Sequence, residues 1–114
     1  MQKILVTGAT GFVGQHLIEY LKLDGYNIRA ISRKLIPGVD TVICDFLKDD
    51  IPENALKDID IVFHLAGYAH DLKNEPGIEK TYQKINVNVT VDLLSRSAKH
   101  NVKKFIFVSS AKAG

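Results

Sequence analysis

A regular spacing of glycines near the start of the chain restricts the possible folds more strongly than any other part of the sequence. Residues 4–6 are apolar and typical of a short buried strand, and the apolar side chains of residues 12–23 have helical spacing. The turn between them has the pattern Gly-x-x-Gly-x-x-Gly, formed by Gly8, Gly11 and Gly14. At such a junction the backbone N–H groups and the helix N-terminus can face a pyrophosphate, and any Cβ would hold the phosphate away. The sequence therefore predicts a phosphate-binding strand-turn-helix unit.

The rest of the chain alternates short apolar strands with helical or irregular segments. Further strands are predicted at residues 28–32, 41–44, 60–65 and 104–108, and a long helix at residues 78–100. The strands have no internal polar alternation, so we expect a parallel sheet covered on both faces. Right-handed crossovers favour the strand order 3-2-1-4-5, with ligands beyond the carboxyl ends of the strands. The predicted fold class is a doubly wound α/β (Rossmann) sheet that forms one incomplete domain.

Apolar residues have helical spacing in both predicted helices. Val13, Leu17, Ile18 and Leu21 share one face of the first helix, and Ile85, Val89, Leu93 and the Leu94/Ala98 pair have helical spacing in the second. Residues 53–57 follow a proline and can form only a short helix or a turn.

Composition excludes several classes of function. Fifteen basic and 13 acidic residues are scattered along the 114 residues, and the resulting net charge of +2 gives no strong field for nucleic acid or anionic lipid.

Cys44 is the single cysteine, so it cannot form an intramolecular disulfide, and it lies in an apolar run expected to be buried. No segment is predicted to be a signal peptide or to span a membrane, and we expect a soluble, cytoplasmic protein. We interpret His64 as a packed strand residue, and no metal site is predicted because no partner stands at ligand spacing.

Five short motifs occur in order along the chain, and together they resemble the extended short-chain dehydrogenase/reductase family. They are residues 7–14, Asp45-Phe46, His64-Leu65-Ala66-Gly67, Asn86-Val87 and Ser109-Ser110. The resemblance covers the whole chain, residues 1–114. It implies an NAD(P)-binding domain of a nucleotide-sugar epimerase or dehydratase, whose bound cofactor takes hydride from a sugar carbon or gives it back.

The resemblance also implies roles for individual residues. The aspartate that matches Asp45 hydrogen-bonds the adenine amino group in relatives, the helix asparagine that matches Asn86 positions the active site, and Ser110 would hydrogen-bond the reacting substrate oxygen. Small residues after the fourth strand would let the backbone approach a ribose or nicotinamide. The expected cofactor-binding residues are Gly8, Thr10, Gly11, Phe12, Val13, Gly14, Arg33, Asp45, Phe46, Leu65, Ala66, Gly67 and Asn86.

One part of the family's catalytic machinery does not occur in this sequence. Relatives use a tyrosine as the base, with a lysine four residues later that lowers its pKa, beyond the position that matches Ser110. The four tyrosines of this chain are followed four positions on by Asp24, Ala30, Leu72 and Asn86. We therefore interpret the chain as cut off before the base and the substrate lobe, and we expect it to be inactive by itself. Relatives usually dimerise through the long helix and a helix that this chain lacks, which leaves a homodimer of the full-length protein open.

The end of the second predicted strand bears on the choice of cofactor. An acidic residue there would favour NAD by binding the ribose 2′-hydroxyl, but residues 31–34 read Ile-Ser-Arg-Lys and contain no carboxylate. Arg33 offers a planar set of donors suited to a phosphate, so NADP is predicted to be preferred over NAD. The alternative is that Arg33 stacks on the adenine or points to solvent.

Two other functions fit the same motifs. The first is an NADPH-dependent ketone reductase of the dihydroflavonol or 3β-hydroxysteroid type, which residues 25–30 and the following Arg33 favour. The second is a non-catalytic NADP-sensing module that keeps the fold without the chemistry.

Overall fold

The structure is a computed structural model that describes residues 2–8, 12–46, 49–66 and 78–109. Within these ranges the side chains are described except at residues 12, 66, 78–86, 108 and 109. The helices and strands lie close to their predicted positions. They are β1 (Lys3–Thr7), α1 (Phe12–Leu23), β2 (Asn27–Ser32), β3 (Asp40–Ile43), a 3₁₀ helix (Glu53–Leu56), β4 (Ile61–Ala66), α2 (Ile78–Lys99) and β5 (Lys104–Ser109).

The five strands form one parallel sheet in the order β3-β2-β1-β4-β5. This confirms both the predicted fold class and the predicted strand order. Side chains of β1 alternate between the two faces, so that Leu5 joins one core with Leu56 and Leu93, while Ile4 and Val6 join a second core under α1. Burial on both faces explains why the strands carry no polar alternation.

Helix α1 has the predicted bounds, and its predicted apolar face is buried over only part of its length. Ile18 and Leu21 are buried and Leu17 packs against the same core, whereas Val13 in the first turn is 55% exposed. Gly25 ends the helix with a φ of +83°, and the backbone N–H of Tyr26 donates to the carbonyl of Leu21, as in a Schellman cap.

In the part of helix α2 whose side chains are described, residues 87–99, the buried stripe is narrow. Leu93 is fully buried, with Val89 one turn before it and buried Ser97 one turn after it. Leu94 is 46% exposed and Ala98 is also exposed, so this pair does not lie on the buried stripe, and the side chain of Ile85 lies outside the described residues. A rotation of about 100° per residue turns position 94 away from the face that contains position 93.

Two compositional expectations can also be compared with the structure. Cys44 is buried directly after β3, as predicted, and burial raises the pKa of its thiol. No helix among the described residues is long and apolar enough to cross a membrane. The cytoplasmic location, the bounds of the domain and a homodimer stay predictions.

Candidate functional site

The carboxyl ends of all five strands meet at one edge of the sheet. Thr7, the last residue of β1, pairs with Ile31 of β2 and with His64 of β4. Farther out, Ser32 pairs with Ile43 and Ala66 pairs with Ser109. The chain therefore places the segments after β1, β2, β3 and β4 side by side, with β1 at the point where the strand order reverses. In open α/β sheets this is the place where ligands bind.

Gly8 directly follows β1 and lies in close contact with Leu65 of β4. Its φ is +67°, and a Cβ added at this position would lie 2.6 Å from the carbonyl oxygen of Leu65 and 3.0 Å from the Cβ of Leu65. A separation of 2.6 Å from a backbone oxygen leaves no room for any side chain, and the positive φ independently favours glycine. Two of the predicted site residues, Gly8 and Leu65, are thus in direct contact across the β1–β4 seam.

A buried chain of hydrogen bonds lies beneath this contact. The hydroxyl oxygen of Thr7 is 3.1 Å from the backbone nitrogen of Leu65 and 2.6 Å from Nδ1 of His64, and Nε2 of His64 is 2.9 Å from the hydroxyl oxygen of Thr90 on α2. His64 is 3% exposed, and burial lowers the pKa of its imidazole to about 4. The ring is therefore neutral at neutral pH.

The packing of His64 was predicted, but its hydrogen bonds were not. The ring also lies beside two aromatic side chains, with centroid separations of 6.1 Å to Phe105 and 5.5 Å to Phe107. The signal that could have revealed the hydrogen bonds is a polar side chain in an otherwise apolar strand, at the register position opposite Thr7. The bond to Thr90 joins residues 26 positions apart and depends on how α2 packs on the sheet.

The β2 and β3 side of the edge carries exposed or half-buried polar residues. Arg33 is exposed in the loop after β2, where the backbone N–H of Lys34 donates to the hydroxyl of Ser32 at 3.1 Å. Asp45 and Phe46 are half-buried after β3, and the backbone N–H of Asp45 donates to the carboxylate of Asp49 at 2.9 Å. The structure therefore brings Arg33 and Asp45 to the ends of neighbouring strands.

The remaining predicted residues are placed to different degrees. Phe12, Val13 and Gly14 form the first turn of α1, where Gly14 is buried. Ala66 ends β4, and Asn86 lies in α2 one turn before Thr90. The other four lie outside the described residues, and they are Thr10, Gly11, Gly67 and Ser110. Within the described part of the chain, no group of three or more His, Cys, Asp or Glu residues could hold a metal ion.

The parallel strand order and the helix that follows β1 define the chain as an α/β domain of the Rossmann type. Comparison with known proteins then gives the family. The sequence model of the NAD dependent epimerase/dehydratase family matches residues 4–113, so the chain belongs to this family.

Individual relatives agree with this assignment. The chain is 34% identical over 118 residues to a UDP-glucose 4-epimerase of Vibrio cholerae, and the matched region covers 97% of this chain and 35% of that protein. It is 30% identical over 129 residues to a decarboxylating sterol-4-alpha-carboxylate 3-dehydrogenase of Candida albicans, with the same coverage of 97% and 35%. Among solved structures, MoeE5 in complex with UDP-glucose and NAD has a TM-score of 0.75 and 30% identity over 96% of this chain and 36% of MoeE5. The chain thus spans about 35% of the length of the curated relatives it matches.

Proposed function

We propose that the chain is the cofactor-binding part of a nucleotide-sugar epimerase or dehydratase, in which NAD or NADP exchanges hydride with a sugar carbon. The observation that carries the proposal is the contact of Gly8 with the backbone of Leu65, at the point where the strand order reverses. Only glycine fits there, and α1 begins four residues further along the chain, at Phe12. Membership of this family, together with relatives that include a UDP-glucose 4-epimerase and MoeE5 with bound UDP-glucose, supports the class of substrate.

The residues of the carboxyl edge fit the parts of a dinucleotide in order. The turn that starts at Gly8 would hold the pyrophosphate together with the N-terminus of α1. On the β2 and β3 side, Arg33 would face the adenosine ribose, and Asp45 would accept a hydrogen bond from the adenine amino group. On the other side, the backbone of Leu65 and Ala66 would lie along the nicotinamide half.

When bound, the nicotinamide supplies the hydride chemistry, and the protein supplies orientation and proton transfer. We propose that the hydroxyl of Ser110 hydrogen-bonds the substrate oxygen that gains or loses a proton, so that it orients and polarises this oxygen without attacking it. The sequence has no Tyr-x-x-x-Lys pair to move that proton. General acid–base catalysis contributes typically about 10² to 10⁴ in rate, and orientation of both reactants contributes further.

The experiment that tests this function separates binding from turnover. We expect calorimetry to detect binding of NAD or NADP to the chain 1–114, and we expect no steady conversion of UDP-glucose. Absence of binding to either dinucleotide would contradict the proposed function. Conversion of a nucleotide sugar that is unaffected by Ser110→Ala would contradict the role given to this serine.

A second function is favoured by a specific observation. The relatives include the sterol dehydrogenase of Candida albicans and a 3-beta-hydroxysteroid dehydrogenase of Mycolicibacterium neoaurum that is 28% identical to this chain. An NADPH-dependent reductase of this type would share the cofactor site and differ in its substrate. Protection of the whole protein, with its substrate lobe, by UDP-glucose in a thermal-shift assay would favour the nucleotide-sugar function, and protection by a hydroxysteroid instead would favour the reductase.

A further inference from the structure

The His64 ring joins the two elements that frame the proposed dinucleotide site. Its Nδ1 contacts Thr7, the residue immediately before Gly8, and its Nε2 contacts Thr90 in the middle of α2. The phosphate turn begins at one end of this connection, and α2 lies at the other. The ring therefore links the end of β1, just before Gly8, to helix α2.

One arrangement of donors and acceptors satisfies every group in this chain of bonds. In it, the backbone N–H of Leu65 donates to the hydroxyl oxygen of Thr7, and the hydroxyl proton of Thr7 is donated to Nδ1 of His64. Because Nδ1 accepts, the proton of the neutral ring is assigned to Nε2, which donates to the hydroxyl oxygen of Thr90. Both nitrogens of the buried ring are thereby satisfied.

Filling of space does not account for a histidine at this position. The ring lies beside Phe105 and Phe107, so an aromatic hydrocarbon would suit the surroundings and would avoid the cost of burying two polar nitrogens. What a fully satisfied buried network adds is a unique arrangement of the elements it connects. Here those elements are the end of β1 and helix α2.

We propose that His64 is a positioning residue for the dinucleotide site, which holds the start of the phosphate turn and α2 in the one arrangement that binds the cofactor. The proposal rests on the dinucleotide-binding function proposed above. Without the connection, the turn and the helix must be ordered when the ligand binds, and this ordering weakens the affinity.

The test compares variants that remove the hydrogen bonds with variants that keep them. His64→Phe removes both bonds and keeps an aromatic ring, while Thr90→Val removes only the hydroxyl on the helix. Thr90→Ser restores that hydroxyl, and Val62→Ala truncates a fully buried side chain of β4 without touching the network. Binding of NAD and of NADP is measured by calorimetry at a temperature at which every variant is folded, beside the melting temperature of each variant.

We expect the dinucleotide affinity to fall about tenfold in His64→Phe and in Thr90→Val, the size of effect that loss of a hydrogen bond typically produces. Thr90→Ser should stay within about twofold of the parent chain. Val62→Ala should lower the melting temperature and leave the affinity unchanged, which separates positioning from general stability. In the parent chain, the imidazole ¹⁵N spectrum should show a neutral ring with its proton on Nε2.

Each other result contradicts a stated part of the argument. Equal affinities in the parent chain, His64→Phe and Thr90→Val would overturn the positioning role and leave the proposed function standing. The positioning role would also be overturned if Val62→Ala and Thr90→Val both lost affinity in proportion to their loss of stability. In that case the loss of stability alone would explain the loss of affinity in both variants. Failure of the parent chain to bind either dinucleotide would overturn the proposed function and this inference together. If His64→Phe does not fold, the Thr90→Val and Thr90→Ser pair decides.

Discussion

The two sides of the carboxyl edge are built in different ways. Where β1 meets β4, Gly8 presses on the backbone of Leu65 above a buried chain of hydrogen bonds through His64. Where β2 meets β3, the equivalent positions carry Arg33 and Asp45 in loops that water reaches. The β1–β4 region is fixed by backbone sterics and buried polar contacts. The β2–β3 region presents side chains to the space beyond the carboxyl edge of the sheet.

This difference separates residues that the fold requires from residues that can be exchanged without affecting the fold. A buried region tolerates few residue types because each change leaves a clash or an unpaired polar group, whereas an exposed side chain can be exchanged at little cost to folding. We therefore expect changes at Gly8 and in the hydrogen-bond chain of His64 to alter stability and binding together. Changes at Arg33 and Asp45 on the β2–β3 side should alter cofactor binding and leave stability unchanged.

The largest effect is expected for Gly8→Ala, with Gly25→Ala as its matched control. Both glycines have a positive φ, but a Cβ at Gly25 would meet no atom within 4 Å. The control should therefore lose only the cost of a left-handed alanine, roughly 1 to 2 kcal/mol of unfolding free energy. Gly8→Ala adds a backbone clash with Leu65, and we expect a total loss above about 3 kcal/mol. Urea denaturation measures both, and equal losses would show that the seam can open without cost.

The next effect is a pH dependence of stability that comes from His64. Its pKa is about 4 in the folded chain against an ordinary 6.5, so the unfolded chain binds more protons between these values. Stability should thus fall as the pH is lowered from about 6.5 to 4, by up to about 3 kcal/mol. Thr7, Thr90, Phe105 and Phe107 surround the ring, and among the described residues no charged group contributes to the shift.

Urea denaturation across this pH range measures the effect against two variants. His64→Phe should lack this component of the pH dependence, while His16→Gln on the exposed side of α1 should keep it. Carboxylates that titrate in the same range contribute equally to all three proteins, so the difference between the curves isolates His64. Parallel curves for the parent chain and His64→Phe would show that the ring is not held neutral by its burial.

The sequence predicted the strand order but not the contacts within the β1–β4 seam. The glycine pattern and the apolar strands sufficed for the strand order, because these signals depend on backbone geometry and on the local period of the chain. The contacts of His64 with Thr7 and Thr90 could not be predicted in the same way, since they join residues 57 and 26 positions apart. Helical spacing also does not tell which apolar side chains of a helix meet the core, and Val13 and Leu94 are exposed.

A smaller and more selective effect is expected for Arg33→Ala. A charge-assisted contact with the 2′-phosphate is worth roughly 1.5 to 3 kcal/mol, or about ten- to a hundredfold in affinity. The substitution should therefore weaken NADP by this factor, leave NAD nearly unchanged and leave stability unaffected because Arg33 is exposed. Arg33→Lys keeps the charge without the planar set of donors and should lie between the two. Calorimetric titration measures all six affinities, and equal NAD and NADP affinities in the parent chain would contradict the predicted preference for NADP.

The smallest effect is expected at Asp45, and it separates recognition of the adenine from recognition of the phosphate. Because both cofactors contain the same adenine, loss of one acceptor in Asp45→Ala should weaken NAD and NADP by the same factor, about fivefold for a single hydrogen bond. Asp45→Asn keeps an acceptor oxygen and should stay within about twofold. The backbone N–H of residue 45, which binds Asp49, is retained in both variants, so the loop keeps its own hydrogen bond. A loss confined to NADP would instead place Asp45 beside the ribose phosphate with Arg33. The β2–β3 side would then recognise only the 2′-phosphate, whereas we expect it to recognise both the adenine and the 2′-phosphate.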